Sequence, residues 1–448
     1  VVQIAKFVQR LLQLSANFAI TTLARCWYSP ARIRAATCTR DIALGKLKRA
    51  LGLMSGTSMD GIDVALIETD GMADVRRGPA FTYPYSEAFR ARLRQACVDA
   101  AHIKRRGDRP GVVHLAEQYL TDLHAEAVAH FLEDVSLAAD NIDVIGFHGH
   151  TILHRPLQSA MPGRPRIVQT SAPGRIAPRV MTVQIGDGAR LARMTGIDVV
   201  HDMRAADVAA GGQGAPLVPV YHAALAAHIA ERPVAMLNIG GVANVTYIGR
   251  NAHTDAILED SLLSFDTGPG NALLDDWMRM RTGAARDEDG ATAARGVVHD
   301  DIVSAYLRQP YFAERPPKSL DRNAFAVDAL SSLSVEDGAA TLTAFTAAAV
   351  ARAEASMPEP PALWVVSGGG RRNRTLMQMI AGRVANAIAP AEAVGLDGDA
   401  VEAEAWAYLA VRSLAGLPLT FPGTTGVPAP TCGGVLAKAG SRGPEINR

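Results

Sequence analysis

From Ala50 to Gly71 the chain reads A-L-G-L-M-S-G-T-S-M-D-G-I-D-V-A-L-I-E-T-D-G, two apolar runs joined by a turn crowded with Gly, Ser, Thr and Asp. Short apolar runs on either side of such a turn predict a β-hairpin with an unusually polar tip. The theme returns in the second half, where Val234–Ile239 runs into Gly240-Gly241 and Val245–Ile248 follows. Two similar hairpins far apart in one chain predict two related α/β lobes with a cleft between them. Other apolar stretches also end in polar loops. Ile142–Phe147 leads into a glycine and histidine loop at His148–His154, Ser264-Phe265-Asp266 into T-G-P-G-N and a helix from Ala272, and Leu363–Val366 into S-G-G-G and a helix from Asn373. Helical spacing marks Ser86–Cys97, Val113–Leu132, Ala189–Thr195 and Tyr221–Ile229, with short strands at Val183–Ile185 and Val199–Val200. The boundary between lobes is placed near Arg232, giving lobes over 47–232 and 233–448.

Length and charge narrow the classes. The 448 residues are 48% hydrophobic, enough to build two packed lobes. Lys plus Arg and Asp plus Glu balance at 45 each, so no overall field draws the chain to nucleic acid or an anionic membrane, and neither partner is expected. Cys26, Cys38, Cys97 and Cys432 have no metal-ligand or disulfide spacing, which fits a reducing, cytoplasmic setting. Residues 1–46 differ, with Lys6, Arg10, Arg25, Arg32, Arg34 and Arg40 preceding the first acidic residue, Asp41. That pattern resembles a targeting peptide or an amphipathic surface helix, but it is read as a dispensable or non-native extension and given no function.

The loops carry the chemistry. In the Ser55–Asp63 turn, Gly56 and Gly61 allow close backbone approach while Ser55, Thr57 and Ser58 supply donors, a combination able to cradle phosphate. Asp60 and Asp63 would repel bare phosphate but can orient water around a phosphate-bound Mg²⁺. A hairpin turn capped by its own Asp and Ser is the plainer reading. The N-I-G-G-V-A-N loop at Asn238–Asn244 is the matching candidate, and Ser367–Gly370 offers backbone to adenosine or phosphate beside a helix start. The latter is neither a P-loop, lacking Gly-Lys-Ser/Thr, nor a dinucleotide fingerprint, since Arg371-Arg372 follows its glycines. Asp266, at the end of an apolar stretch, is either a rigidly held general base or a loop and helix cap. Glu402 lies on a helical pattern, directed into the cleft or exposed, with Glu404 taking the exposed role. His148, His150 and His154 tempt a zinc assignment, but no Cys or Glu completes a familiar set, and a substrate-facing loop or strand exit suits them better. Asp202, Arg204 and Asp207 precede the G-G-Q-G loop, where Arg204 either holds an anionic substrate or forms an ordinary ion pair.

Together G-T-S-M-D-G-I-D, G-F-H-G-H-T, Q-I-G-D, D-V-A-A-G-G-Q-G-A-P-L-V-P, L-N-I-G-G-V-A-N-V, F-D-T-G-P-G-N and V-S-G-G-G-R-R-N resemble, in content and order, the anhydro-N-acetylmuramic acid kinase family. The resemblance runs from about Leu51 to the C-terminus. It implies the actin-like ATPase fold, in which two ribonuclease-H-like lobes close over ATP. It also implies a reaction in which water opens the 1,6-anhydro bridge of the sugar while oxygen 6 is phosphorylated, in cell-wall recycling. Carried onto this sequence, Gly56, Thr57, Ser58, Met59, Asp60, Gly61, Ile62 and Asp63 meet ATP phosphate. Asn238, Gly240 and Gly241 form the second phosphate loop, and Gly368, Gly369 and Gly370 lie near adenosine. Asp266 matches the general base, Glu402 a second acidic position facing the site, and His148, Asp202 and Arg204 the sugar side. Mg²⁺ is expected on phosphoryl-transfer grounds, with no ligand set named. The family resemblance suggests a homodimer. The family's H-G-Q-T is H-G-H-T here and its D-F-R-R-R-D is D-M-R-A-A-D, departures that bear on sugar contacts more than on ATP. An ordinary hexose or amino-sugar kinase of the same fold, and a sugar or nucleotide sensor without turnover, are the competing readings.

Overall fold

The computed structural model describes residues 46–56, 58–155, 181–250, 252, 255–322 and 324–440. The basic segment before Lys46, with Cys26 and Cys38, lies outside the described residues, as does Thr57. Both sheets below belong to the unit formed by residues 42–448.

The first sheet begins with the predicted hairpin. Strands β1 (Lys48–Ser55) and β2 (Gly61–Thr69) pair antiparallel, and β3 (Val75–Pro84) adds to the far edge of β2. Helix α1 (Glu87–Asp99) starts where the Ser86 hydroxyl accepts from the Phe89 N–H, and α2 (Val113–Asp134) follows. Strand β4 (Val144–Arg155) then pairs parallel with β1. It runs through the His148–His154 segment expected as a loop. Gly149, at φ +69°, lets the strand shift register there, and β5 (Met181–Ile185) pairs antiparallel with the extension, which supplies the ladder that keeps it extended. Helix α3 (Gly188–Thr195) leads to β6 (Val199–His201), parallel to β4.

Helix α4 (Pro219–Ala226), every residue of it buried, ends the first half. The second sheet repeats the plan. Strands β7 (Val234–Ile239), β8 (Val242–Ile248) and β9 (Leu262–Pro269) form an antiparallel meander. Helices α5 (Ala272–Thr282) and α6 (Val335–Ala353) cross to β10 (Leu363–Ser367), parallel to β7; α7 (Arg374–Ala381) crosses to β11 (Ala387–Pro390), parallel to β10. The strand orders are β3-β2-β1-β4-β6 and β9-β8-β7-β10-β11. Each sheet thus has an antiparallel meander on one side of its first strand and two parallel strands on the other. This duplicated order is the ribonuclease-H-like lobe twice over, the actin-like architecture.

The chain then turns back. Helix α8 (Val401–Ala415) packs on β1, β4 and β2, and β12 (Val435–Ala437) pairs with β6 on the first sheet. The core around α8 gathers Ala50 and Val144 from one sheet with Val234, Met236 and Val365 from the other. A helix between two sheets is buried all round, which is why Ala403 through Arg412 are all inaccessible. Its close seat depends on missing side chains. A Cβ on Gly52 would stand 1.8 Å from the Ala403 carbonyl oxygen, and one on Gly146 1.9 Å from that of Trp406. Among the described residues, no helix is long and apolar enough to cross a membrane.

Candidate active site

Contacts within the β1–β2 turn close it on itself. The Met59 N–H closes on the Gly56 carbonyl at 3.1 Å with Met59 at φ 57°, and Ser58 Oγ donates to Asp60 Oδ1 at 2.6 Å. Its two glycines do different work. A Cβ on Gly61 would strike the Tyr83 carbonyl oxygen of β3 at 2.5 Å, so that glycine serves strand pairing, whereas one on Gly56 meets only Ser58 Oγ at 3.4 Å. Ile62 points into the core under α1 and α2 and offers the cleft backbone alone. Asp63 accepts from Thr82 Oγ1 at 2.6 Å, yet burial, with Asp60 and Asp399 nearby, holds its carboxyl above the usual range.

On the second sheet four polar residues form one row. Ser367 of β10 pairs with Asn238 of β7, Asn238 with Asn244 of β8, and Asn244 with Asp266 of β9. Directly opposed residues share a sheet face, and strands lie about 4.8 Å apart, so Asp266 stands roughly 10 Å from Asn238 on the same face. Asn238 identifies that face, because its Nδ2 donates to Glu402 Oε1 at 3.1 Å. Above the row the Gly240-Gly241 turn is pinned by N–H groups of Gly270 and Asn271, which donate to the Gly241 and Gly240 carbonyls at 3.0 and 2.8 Å. Neither glycine is crowded: the nearest atom to an added Cβ is 3.7 Å away at Gly240 and 3.6 Å at Gly241. At the third loop, Gly368 (φ 74°) and Gly370 are packed against Asn238 and Ile239, and Gly369 is uncrowded, with Asn271 Nδ2 the nearest atom to an added Cβ at 3.8 Å. Arg371 fixes this loop, donating to the Gly368 carbonyl and, through two nitrogens, to Asp399 at 2.9 Å. That ties it to the start of α8.

Glu402, in the first turn of α8, is the meeting point. Its carboxyl is open to solvent but deep between the lobes, and that depth, with Asp63 beside it, raises its proton affinity, while Arg204 and Asn238 oppose the rise. Arg204 lies over the Trp406 ring at 5.1 Å and donates to the Gly214 carbonyl at 2.9 Å and to His148 Nε2 at 3.2 Å. A guanidinium only donates, so His148 Nε2 accepts and its proton sits on Nδ1. Burial and the adjacent Arg204 keep His148 neutral, and burial lowers Arg204 itself to about 10. Arg204 Nε is buried without a hydrogen-bond partner. Asp202, at φ 54°, is taken up by Arg106 at 2.5 Å and lines, with His148 and Gln184, a pocket of about 260 Å³. Asp207 is structural, accepting from Gly214 N and Thr425 Oγ1, each at 2.6 Å.

Asp266 is gripped from one side. Leu320 N donates to its Oδ2 at 2.7 Å, its own N–H donates to the Lys318 carbonyl at 3.0 Å, and the Tyr311 hydroxyl donates to its carbonyl. Burial raises its pKa to about 6, against the Leu320 hydrogen bond and Lys318, which lower it. A carboxylate with one oxygen fixed and a pKa near neutrality can take a proton from an oxygen placed at the other.

Glu404 corrects the expectation from sequence. It is buried at 1% exposure, paired with Arg77 Nε at 2.8 Å and accepting from the Tyr221 hydroxyl at 2.8 Å, because α8 has no solvent face at that position. The three histidines part company at the Gly149 shift, His148 going to Arg204, His150 to Ser55 Oγ at 3.1 Å and His154 to Thr182 Oγ1 at 3.3 Å. Among the described residues, no group of three or more His, Cys, Asp or Glu is placed to hold a metal. Sequence reasoning missed Trp406, Tyr311 and Lys318. Trp406 was within reach as the residue one helical turn after Glu402, whereas nothing in the spacing of residues 310–320 marks the strap around Asp266.

Comparison with known proteins shows the family. A family model described as anhydro-N-acetylmuramic acid kinase matches residues 48–439. A protein of that name from Methylobacterium nodulans is 51% identical over 401 residues, covering 87% of this chain and 100% of its own length. Another from Rhizobium etli is 49% identical over 394 residues, covering 87% and 99%. Among solved structures, a xylulose kinase from Lactobacillus acidophilus is 10% identical, covering 88% of this chain and 94% of its own, with a TM-score of 0.42.

Proposed function

Since the chain belongs to the anhydro-N-acetylmuramic acid kinase family, we propose that Asp266 is the base of its reaction and that the three glycine loops hold ATP across the cleft. The protein is a phosphotransferase that uses ATP to convert 1,6-anhydro-N-acetylmuramic acid to N-acetylmuramic acid 6-phosphate and ADP. Water adds to the anomeric carbon, the bond from that carbon to oxygen 6 breaks, and oxygen 6 takes the γ-phosphoryl group from ATP, releasing ADP. Asp266 accepts the water proton at Oδ1, since Oδ2 is held by Leu320 N. The uncrowded Gly56, Gly240, Gly241 and Gly369 give phosphate and adenosine backbone to lie against. Arg204 and His148, stacked with Trp406 and presenting a buried Nε and an Nδ1 proton, face the sugar.

Mg²⁺ fits the residues present. Burial and the nearby Asp63 raise the proton affinity of Glu402, and burial with Asp60 and Asp399 raises that of Asp63; a divalent cation relieves such crowding of negative charge, and one or two carboxylates with phosphate oxygens and water are its usual set. When bound, it would neutralise charge on the β- and γ-phosphates. A homodimer in the cytoplasm belongs to the same reading, supported by the sequence resemblance.

The observation that carries the assignment is the row from Asn238 to Asp266 on the face that meets Glu402. Incubation with ATP, Mg²⁺ and either the anhydro sugar or N-acetylglucosamine tests it, with products identified by mass. The reading requires the 6-phosphate from the anhydro sugar; turnover of N-acetylglucosamine in its place would overturn it.

A further inference from the structure

Among the described residues, the strap from Tyr311 to Leu320 carries the ammonium that acts on Asp266. Lys318 is buried at 7% exposure, on a loop whose backbone both donates to and accepts from Asp266. Its Nζ donates to the Tyr311 carbonyl at 2.9 Å and lies 4.3 Å from the centre of the Tyr311 ring, so the charge is anchored to the same residue whose hydroxyl holds the Asp266 carbonyl. The ammonium does not bond the carboxylate. A direct ion pair would occupy Oδ1 and press the carboxyl toward permanent ionisation, spoiling it as a proton acceptor. An ammonium near but not bonded stabilises the carboxylate form through space and leaves Oδ1 open. Keeping a buried Lys here is costly, since burial lowers its proton affinity and Arg352 from α6 lowers it further. Glu314 and Asp266 itself oppose that loss. The other groups against the site are the neutral Tyr311 hydroxyl from the strap and the neutral Asn244 amide from β8.

We propose that Lys318 is a positioning residue for the Asp266 base: the strap brings its ammonium against that carboxylate as a counter-charge, and removing the charge disables the base near neutral pH without removing the base. The inference rests on the assignment of Asp266 made above. Its consequence is a pH profile. With a base whose pKa is about 6, kcat/KM falls below that pH. An opposite charge within about 4–6 Å moves a carboxyl by about one pH unit or more, so loss of the charge is expected to carry the acid limb up to about pH 7.

The test is kcat/KM for ADP release from ATP and 1,6-anhydro-N-acetylmuramic acid between pH 5 and 9, in the parent, Lys318→Gln and Lys318→Arg. Gln keeps a donor for the Tyr311 carbonyl and loses only the charge. The expected result is an acid limb displaced upward by about one pH unit in Lys318→Gln, recovery to near the parent's rate at pH 8.5, and a parent-like limb in Lys318→Arg. A Lys318→Gln rate reduced by one factor at every pH, or a limb that stays in place, overturns the inference. Failure of the underlying assignment looks different, with no limb near pH 6 in the parent and full activity in Asp266→Asn. Should Lys318→Gln not fold, Lys318→Met serves the same comparison, and a limb that moves in Lys318→Arg as well counts against the charge.

Discussion

Replacing Gly146 with Ala tests whether α8 owes its place to the two glycines beneath it. The new Cβ would sit 1.9 Å from the Trp406 carbonyl oxygen and 2.5 Å from its carbon, both backbone atoms that no rotamer change can move. Ordinary contact lies near 3.5 Å, so helix and sheet must part by roughly 1.5 Å. Overpacking a core costs about 1–3 kcal/mol when side chains can adjust, and here only backbone can yield, so a loss of about 3 kcal/mol or more is expected. The displacement carries Glu402 away from Asn238 and Trp406 away from Arg204, so activity should fall with stability. Urea unfolding followed by circular dichroism reads the first effect as a lowered midpoint, and steady-state kinetics at a temperature where the variant is folded reads the second. Gly52→Ala, whose Cβ would meet the Ala403 carbonyl oxygen at 1.8 Å, should behave alike, and the double variant should cost less than the sum, because one displacement relieves both clashes. A midpoint and kinetics matching the parent's in Gly146→Ala would refute the reasoning.

Glu404→Gln should destabilise by about 3–5 kcal/mol, since it leaves Arg77 facing an amide in a buried pair; chemical unfolding measures it, and a loss under about 1 kcal/mol would show that water reaches the pair. Because the raised carboxyl of Asp266 must be ionised to act, kcat/KM should drop about tenfold per unit as pH falls below about 6, and a profile flat to pH 5 would contradict that. The same raised value works against folding at neutral pH: protonation of Asp266 favours the native state, so this residue's unfavourable contribution grows as pH rises from its unfolded value through 6 and is constant above, a trend that Asp266→Asn should abolish in unfolding curves. Arg204→Lys cannot reach the Gly214 carbonyl, His148 and the Trp406 ring together, and should raise KM for the sugar about tenfold while leaving KM for ATP within about twofold.

What the sequence revealed followed from local chemistry. The turns at Ser55–Asp63 and Asn238–Asn244, and Asp266 at a strand end, are legible because polar residues interrupt apolar runs that otherwise have no reason to stop. The lobes were legible for the same reason, as repeated hairpins. What sequence hid depends on contacts between distant segments. Glu402 and Glu404 are two apart on one helix, and a rule that gives such a helix one wet face assigned the exposed position to Glu404. Because α8 lies between two sheets, water reaches only its ends, so Glu402 at the cleft end is open and Glu404 is sealed with Arg77, 327 residues away. His148–His154 reads as a loop in sequence because its glycine and polar residues look like one, yet β5 pairs with it. Lys318 lies 52 positions from Asp266 in a stretch without periodicity, and only the folded strap joins them.

The central claim is that Asp266 takes the proton from the water that opens the sugar. The most direct measurement is single-turnover conversion of 1,6-anhydro-N-acetylmuramic acid in ¹⁸O-water by the parent and by Asp266→Asn, with nucleotide binding measured in both. The account predicts one ¹⁸O at the anomeric carbon of the parent's 6-phosphate product and a rate about 10²–10⁴-fold lower in Asp266→Asn, with ATP bound as tightly as before. An Asp266→Asn enzyme that turns over at a rate near the parent's, with the same label, would contradict it.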